Sequence, residues 1–328
     1  MEEFMARAGA FRESRVILVA VELGIFQTLA KGPLSAEGLA RQLRLVPRAV
    51  TTVCNALVSL GWLKKKKGDA YSLPRGLRPL LDPDSPHTRV HGLLHTAYVF
   101  HSWAQLDAVA RGQVDPGETR GKRRTRESNR NFILAMQELS PGREHEMAAL
   151  LDLSDCSTLC DVGPGPGHYS VALAKKYPRM RFTLVDDPES LEVARDYVGR
   201  MPPAISSRFT YVPGDLLRKK KPDWGGPFDA ILLSNVVHIF GEEENQAIVQ
   251  RLAGMLSPRG VLIVRDFAIN DEHTAPPVAA LFAVNMLANT SRGGCYSERQ
   301  VRAWMAGAGL SRCKTLDFPP SYLVLGYK

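Results

Sequence analysis

Over residues 4–30 apolar side chains recur at helical spacing (Val16, Ile17, Val19, Ala20, Leu23, Ile25, Phe26, Leu29), which predicts helix. Gly32-Pro33-Leu34-Ser35 then breaks and caps the chain ahead of a helix over 36–43, a turn over 44–47 and a second helix over 48–60. The runs 62–64 and 70–73 flank a charged tip, Lys65 to Asp69, and read as a two-stranded wing. Together these elements describe a winged helix. Residues 86–110 read as helical, with Trp103, Leu106 and Val109 as a packing stripe, and 131–139 as a bridging helix. Beyond residue 158 the pattern changes to short apolar runs, 159–162, 181–185, 209–212, 230–234 and 260–264, with helical stretches such as 168–177 and 243–256 between them. That alternation predicts an α/β fold with a mostly parallel, Rossmann-like sheet. The last two runs, 313–318 and 322–326, are separated by Pro319-Pro320 alone and must be antiparallel neighbours.

The chemistry concentrates where the first of these strands ends. Leu159-Cys-Asp161-Val-Gly163-Pro-Gly165-Pro-Gly167 reads as a strand running into a glycine turn and then a helix. Glycine lets the backbone bend sharply there and brings bare N–H groups close to a nucleotide-like cofactor at the carboxyl edge of the sheet. The second strand ends at Asp186, where an acceptor-only carboxylate would grip a ribose diol. The third leads to Gly214-Asp215, a carboxylate suited to an adenine amino group, and Ser234 ends the fourth strand. NAD and S-adenosylmethionine fit the ribose grip equally. The spacing G-x-G-x-G lacks the later glycine of the dinucleotide fingerprint.

Length and composition narrow the class. A chain of 328 residues with 45% hydrophobic and 23% charged residues is that of a soluble globular protein of two domains. No run approaches about eighteen apolar residues, and the start Met1-Glu2-Glu3 is not a signal peptide, so a cytoplasmic location is expected. The five cysteines (54, 156, 160, 295, 313) contain no C-x-x-C pair and read as reduced. Much of the net charge of +8 lies in three runs, Lys64–Lys67, Arg120–Arg126 and Arg218–Lys221, which read as solvated loop surface. His87, His91 and His95, four apart, raise a metal site, but no carboxylate or cysteine completes a set, and a polar helix face is the expectation. No Ser-His-Asp triad signature, H-E-x-x-H motif, Walker loop or acidic magnesium cluster is present.

Asp161–Gly167, Val185-Asp186-Asp187-Pro188, Gly214-Asp215, Asn235-Val-Val-His238, Arg292–Ser297 and Ala308-Gly-Leu310 follow the order seen in S-adenosylmethionine-dependent O-methyltransferases of the caffeate and hydroxyindole type. The chain resembles that family over nearly its whole length. The resemblance implies a seven-stranded methyltransferase domain and an N-terminal module that makes a homodimer. It implies S-adenosylmethionine as the cofactor, held by Asp161, Gly163, Gly165, Gly167, Asp186, Gly214, Asp215 and Ser234. His238 matches the catalytic base, a role that suits neutral histidine against a phenol, and Asp266 matches one of two acids that orient it. The other acid is replaced by Tyr296, expected to bind the substrate, and the residue after the histidine, usually Asp, is Ile239. A helix between Pro276 and Arg292 resembles the substrate-lining one. Phe282 and Met286 on it would grip a flat ring, Asn285 and Asn289 would orient a polar group, and Phe132 and Met136 match positions near the pocket.

The sequence therefore divides into a winged-helix dimerisation domain over 1–114, a polar linker over 115–130 and a methyltransferase domain over 131–328. The expected activity is methyl transfer to a small aromatic hydroxylated compound of secondary metabolism, without a metal. Rival readings keep the fold and cofactor but transfer to carbon or sulfur, or carry out decarboxylation or hydroxylation. A DNA-binding regulator is a further rival, its recognition helix offering Arg48, Thr51, Thr52 and Asn55 to base edges.

Overall fold

The computed structural model describes residues 1–66, 68–117, 125–217 and 223–328. Lys67, most of the Arg120–Arg126 run and the whole Arg218–Lys221 run thus lie outside the described residues, as does part of the expected linker. The chain forms two compact units, residues 1–101 with 134–139, and residues 102–133 with 140–328.

In the first unit α1 (Glu2–Gly9), α2 (Phe11–Glu22) and α3 (Ile25–Lys31) replace the single helical stretch expected over 4–30. Gly24, at φ 75°, makes the second break; a left-handed φ is cheap only for glycine. Then come β1 (Leu34–Ser35), α4 (Ala36–Leu43), α5 (Pro47–Ser59), β2 (Lys64–Lys65), β3 (Ala70–Ser72), α6 (Arg78–Leu81) and α7 (Val90–Trp103). The Ser35 hydroxyl accepts from the Gly38 N–H at 3.1 Å and starts α4 as its sequence predicts. Ile25, Phe26, Leu39, Cys54, Leu57, Leu63 and Tyr71 form the core under a three-stranded sheet of order β1-β3-β2.

Three of the four side chains expected to face base edges are engaged within this unit. Thr51 and Thr52 donate to the carbonyls of Pro47 and Arg48, and Asn55 accepts from the Tyr71 hydroxyl at 2.8 Å. The histidine stripe is also interrupted, because His87 precedes α7 in a turn, while His91 pairs with Glu138 at 2.5 Å.

The second unit holds α8 (Leu106–Ala110), the start of α9 (Arg126–Glu138), α10 (Arg143–Leu150), β4 (Thr158–Val162), α11 (His168–Lys176), β5 (Arg181–Asp186), α12 (Pro188–Gly199), α13 (Pro203–Ser206) and β6 (Phe209–Pro213). It continues through β7 (Phe228–Ser234), α14 (Glu242–Gly254), β8 (Leu256–Phe267), α15 (Pro277–Asn289), α16 (Glu298–Gly307), β9 (Arg312–Phe318) and β10 (Ser321–Tyr327). Helix α9 starts at Arg126, inside the stretch expected to be linker, and β8 starts four residues ahead of Gly260.

The sheet order is β6-β5-β4-β7-β8-β10-β9, with β10 antiparallel to both neighbours and the other pairs parallel. Alternate residues of each central strand feed two separate cores. Leu159, Leu184, Leu232 and Ile263 pack on one face, and Cys160, Val185, Leu233 and Val264 on the other. Burial on both faces is why these strands read as continuous apolar runs. At the amino edge Asp229 accepts from Ser157 and Thr158 N–H and from the Thr158 and Ser257 hydroxyls, stitching β4, β7 and β8. No helix among the described residues is long and apolar enough to cross a membrane.

Candidate active site

The parallel register brings the ends of β4, β5, β7 and β8 to one edge, and the expected cofactor residues gather there. Gly163, Gly165 and Gly167 have φ of 71°, 55° and 79°, all in the left-handed region. Gly163 also has no room for a side chain, since a Cβ would stand 2.7 Å from Val236 Cγ2, whereas Gly165 meets nothing within 4 Å and lies open. Its N–H points to Asp186 Oδ2 at 3.4 Å. Burial pushes the Asp186 carboxyl up to about 7 despite the Asp187 and Gly165 N–H groups. Gly214 donates to the Asp186 carbonyl at 3.0 Å. A Cβ on it would stand 2.4 Å from Val185 Cγ1 and 2.9 Å from Trp224 Nε1, so the backbone must pass bare.

Asp215 is exposed, its carboxylate accepting from Leu217 N–H at 2.8 Å. The Ser234 hydroxyl accepts from Arg265 at 3.3 Å. Asp161 differs from the others. It is sealed, accepts from the Ser170 hydroxyl at 2.6 Å, and braces β4 to α11 beneath the loop instead of facing a ligand. Burial raises its carboxyl to about 7. The open left-handed loop, the bare strand-end backbone and a carboxylate able to accept two hydroxyls fit an adenosyl cofactor.

Past β7, Asn235 turns the chain at φ 57° into a short 3-10 turn, Val237–Ile239. His238 on that turn is buried, and its Nδ1 lies 2.9 and 3.0 Å from the two carboxylate oxygens of Asp266. A carboxylate accepts only, so Nδ1 carries the proton in the neutral ring and Nε2 keeps its lone pair. Among the described residues Nε2 has no hydrogen-bond partner, yet it is not sealed from solvent. Phe282 meets the imidazole edge-on at 4.9 Å and stacks on Phe267 at 3.9 Å.

Tyr296 does not reach the imidazole as an orienting group, nor does it face an open pocket. It is buried against Trp304, and its hydroxyl donates to the Phe240 carbonyl at 2.6 Å. Burial raises its pKa to about 12. On α15, Met286 and Asn289 are buried and Asn285 is half-buried. The Asn285 Oδ1 accepts from Trp103 Nε1 and from Asn289 Nδ2, both at 3.0 Å, so the two amides hold each other. Phe132 and Met136 are half-buried positions of α9 that fall in different units.

Sequence reasoning missed the residues that pin the His238 turn. Gly294 N–H donates to the His238 carbonyl at 3.0 Å, and a Cβ on Gly293 would come within 2.3 Å of that oxygen. Two buried groups under the loop were also missed. Among the described residues His168 has no hydrogen-bond partner for either ring nitrogen, and burial holds it neutral, its pKa pushed down to about 3. Arg265 bonds the Ser234 and Ser321 hydroxyls and lies over the rings of Tyr169 and Phe318.

Comparison with known proteins places this geometry. The O-methyltransferase domain matches residues 117–311, and the O-methyltransferase dimerisation domain matches residues 5–76. Over 325 residues the chain is 27% identical to the tetracenomycin polyketide synthesis 8-O-methyl transferase TcmO of Streptomyces glaucescens, covering 97% of this chain and 94% of that protein. It is 24% identical over 310 residues to the 3-hydroxy-5-methyl-1-naphthoate 3-O-methyltransferase of Streptomyces sahachiroi, covering 93% and 88%. Human N-acetylserotonin methyltransferase, solved in complex with SAM, has the same fold, with a TM-score of 0.82 at 22% identity over 100% of this chain and 97% of that one. With more than half of its length matching the domain, the chain belongs to the O-methyltransferase family, enzymes that draw their methyl group from S-adenosylmethionine.

Proposed function

We propose that the chain methylates a hydroxyl on a small aromatic metabolite, with His238 as general base and Asp266 in support. The observation that carries this is the buried His238–Asp266 pair at 2.9 Å, with Nε2 making no hydrogen bond among the described residues. S-adenosylmethionine, when bound, supplies an electrophilic methyl group on a sulfonium. Gly163, Gly165 and Gly167 would shape its loop, Asp186 would accept its ribose hydroxyls, and Gly214, Asp215 and Ser234 would flank it. A phenol of pKa about 10 keeps its proton at neutral pH, so the acceptor needs a base. Nε2 takes that proton, and the Asp266 carboxylate compensates the imidazolium that results. Alignment of the acceptor oxygen supplies much of the rest. Phe282 and Met286 would hold a flat ring beside the imidazole, an arrangement the edge-on Phe282 contact supports.

The names of two relatives, a polyketide 8-O-methyl transferase and a naphthoate 3-O-methyltransferase, support an aromatic hydroxyl as acceptor. The dimerisation match over 5–76 supports a homodimer built through the N-terminal domain. A panel of naphthols and hydroxynaphthoates, followed by release of S-adenosylhomocysteine, tests the assignment. His238→Ala should lower kcat about 10²–10⁴-fold while calorimetry finds cofactor affinity nearly kept. Unchanged turnover removes the base role.

A further inference from the structure

The 3-10 turn that carries His238 is held from three sides. Helix α14 starts three residues beyond it, and side chains on a helix tilt toward its N-terminus, so Asn245 reaches back over the turn. Its Nδ2 donates to the Val237 carbonyl at 2.9 Å and to the Phe240 carbonyl at 3.2 Å. The Tyr296 hydroxyl donates to the same Phe240 carbonyl, and Gly294 N–H takes the His238 carbonyl. The hydroxyl of Tyr322 in turn fixes the Tyr296 carbonyl at 3.1 Å. Asn245 is wholly buried, and its own Oδ1 has no hydrogen-bond partner among the described residues. An amide that leaves its acceptor orphaned while both donors meet carbonyls is oriented by the turn, since the flipped amide would set oxygen against oxygen.

We propose that Asn245 and Tyr296 are positioning residues for His238. They fix the backbone of its turn so that Nδ1 stays on Asp266 and Nε2 stays toward the acceptor. This rests on the reading of His238 as base. It accounts for Tyr296 at a position where a second orienting acid is expected. The ring edge has one carboxylate, and the constraint a second would impose is moved to the backbone carbonyls. Gly293 serves the same clamp, because only a residue without a Cβ lets the 293–294 backbone approach the His238 carbonyl.

The test uses full-length protein labelled with 15N-histidine and bound to S-adenosylhomocysteine, the His238 ring signals being assigned by their loss in His238→Ala. Wild type should show one neutral tautomer, protonated at Nδ1. Tyr296→Phe keeps the ring packed on Trp304 and removes one hydroxyl. It should move the His238 signals toward those of a freely exchanging imidazole, with product affinity and thermal midpoint unchanged. Asn245→Ala should move the ring signals in the same way with product affinity kept, at a lower thermal midpoint because the Val237 and Phe240 carbonyls lose that donor. In turnover, Tyr296→Phe should lower kcat about ten- to a hundredfold at unchanged KM for the cofactor. That loss should vanish in the His238→Ala background. Wild-type ring spectra in both variants, or losses that add in the double variant, overturn the clamp. Full turnover in His238→Ala with altered ring spectra in Tyr296→Phe would instead end the base reading and leave the clamp standing.

Discussion

If Asp186 accepts the ribose hydroxyls as proposed, cofactor capture is coupled to protons. Its carboxyl, raised by burial from 3.8 to about 7, is partly protonated in the ligand-free protein near neutrality. Two ribose hydroxyls both donate, so the bound state needs the ionised acceptor. Binding should therefore expel a proton, and affinity should rise with pH and level off above about 7. Calorimetry at pH 6.5 in buffers of different ionisation enthalpy should register the release. Asp186→Asn should show none, and a buffer-independent heat in wild type would contradict the assignment. The stability sign is opposite. A folded-state carboxyl raised above its unfolded value binds protons more tightly than the unfolded chain, so ligand-free stability falls as pH climbs from 3.8 to about 7. Asp161 adds to that slope, and cofactor should remove the Asp186 share only. Nothing in the sequence distinguished these two acids. Asp161 is the penultimate residue of β4 and Asp186 the last of β5; the Ser170 hydroxyl and full burial make Asp161 a brace, while Asp186 stays half-buried at the sheet edge.

At the scale of elements, the carboxyl end of α11 depends on a residue far along the chain. Arg208 donates to the carbonyls of Ala174 at 2.6 Å and of Tyr177 and Met180 at 2.9 Å. The Tyr177 carbonyl also accepts from Met180 N–H, so the cation adds donors to carbonyls at and just past the helix end and complements the helix dipole. Arg208→Ala should cost about 1–3 kcal/mol, read as a lower denaturant midpoint at unchanged m, with cofactor affinity kept because the loop lies at the other end of α11. An unchanged midpoint would show that water replaces the guanidinium at no cost. Such a contact leaves no local pattern, which is also why Tyr296 could not be read: its partner lies 56 positions away. The strands were legible for the reverse reason. Burial on both faces forces an unbroken apolar run, as in Ala230–Leu233 or Val261–Val264. Where β8 loses that cover, at Ser257-Pro258-Arg259, the apolar run is broken and Pro258 and Arg259 are exposed, so the run marks the start of the strand too late. The division of α1 from α2 at Ala10 follows Gly9, and a lone glycine inside an otherwise helical stretch does not by itself mark a break.

For the whole molecule, the open question of chemistry is self-association, and charge and apolar surface pull on it in opposite directions. Helix α1 buries none of its residues, and Phe4, Met5 and Phe11 stand 71%, 62% and 55% exposed within the first eleven positions. None of the three belongs to the core around Ile25, Phe26 and Leu57. Monomers seldom leave such side chains clustered in water, and the dimerisation match, which begins at residue 5, takes in Met5 and Phe11. Phe4→Ser with Phe11→Ser should therefore sediment at half the mass of wild type while keeping its thermal midpoint. A wild-type species of 36.2 kDa at micromolar concentration would sink the homodimer. Salt separates the forces further. Each chain carries a net +8, so two copies repel, and that repulsion is screened over about 10 Å at 0.1 M salt. Apolar burial is not weakened by such screening. If the exposed phenylalanines hold the pair together, dimerisation should tighten as salt rises from about 0.05 to 0.3 M. Dissociation on adding salt would instead mean that ion pairs carry the interface, and the serine pair would then leave the mass unchanged.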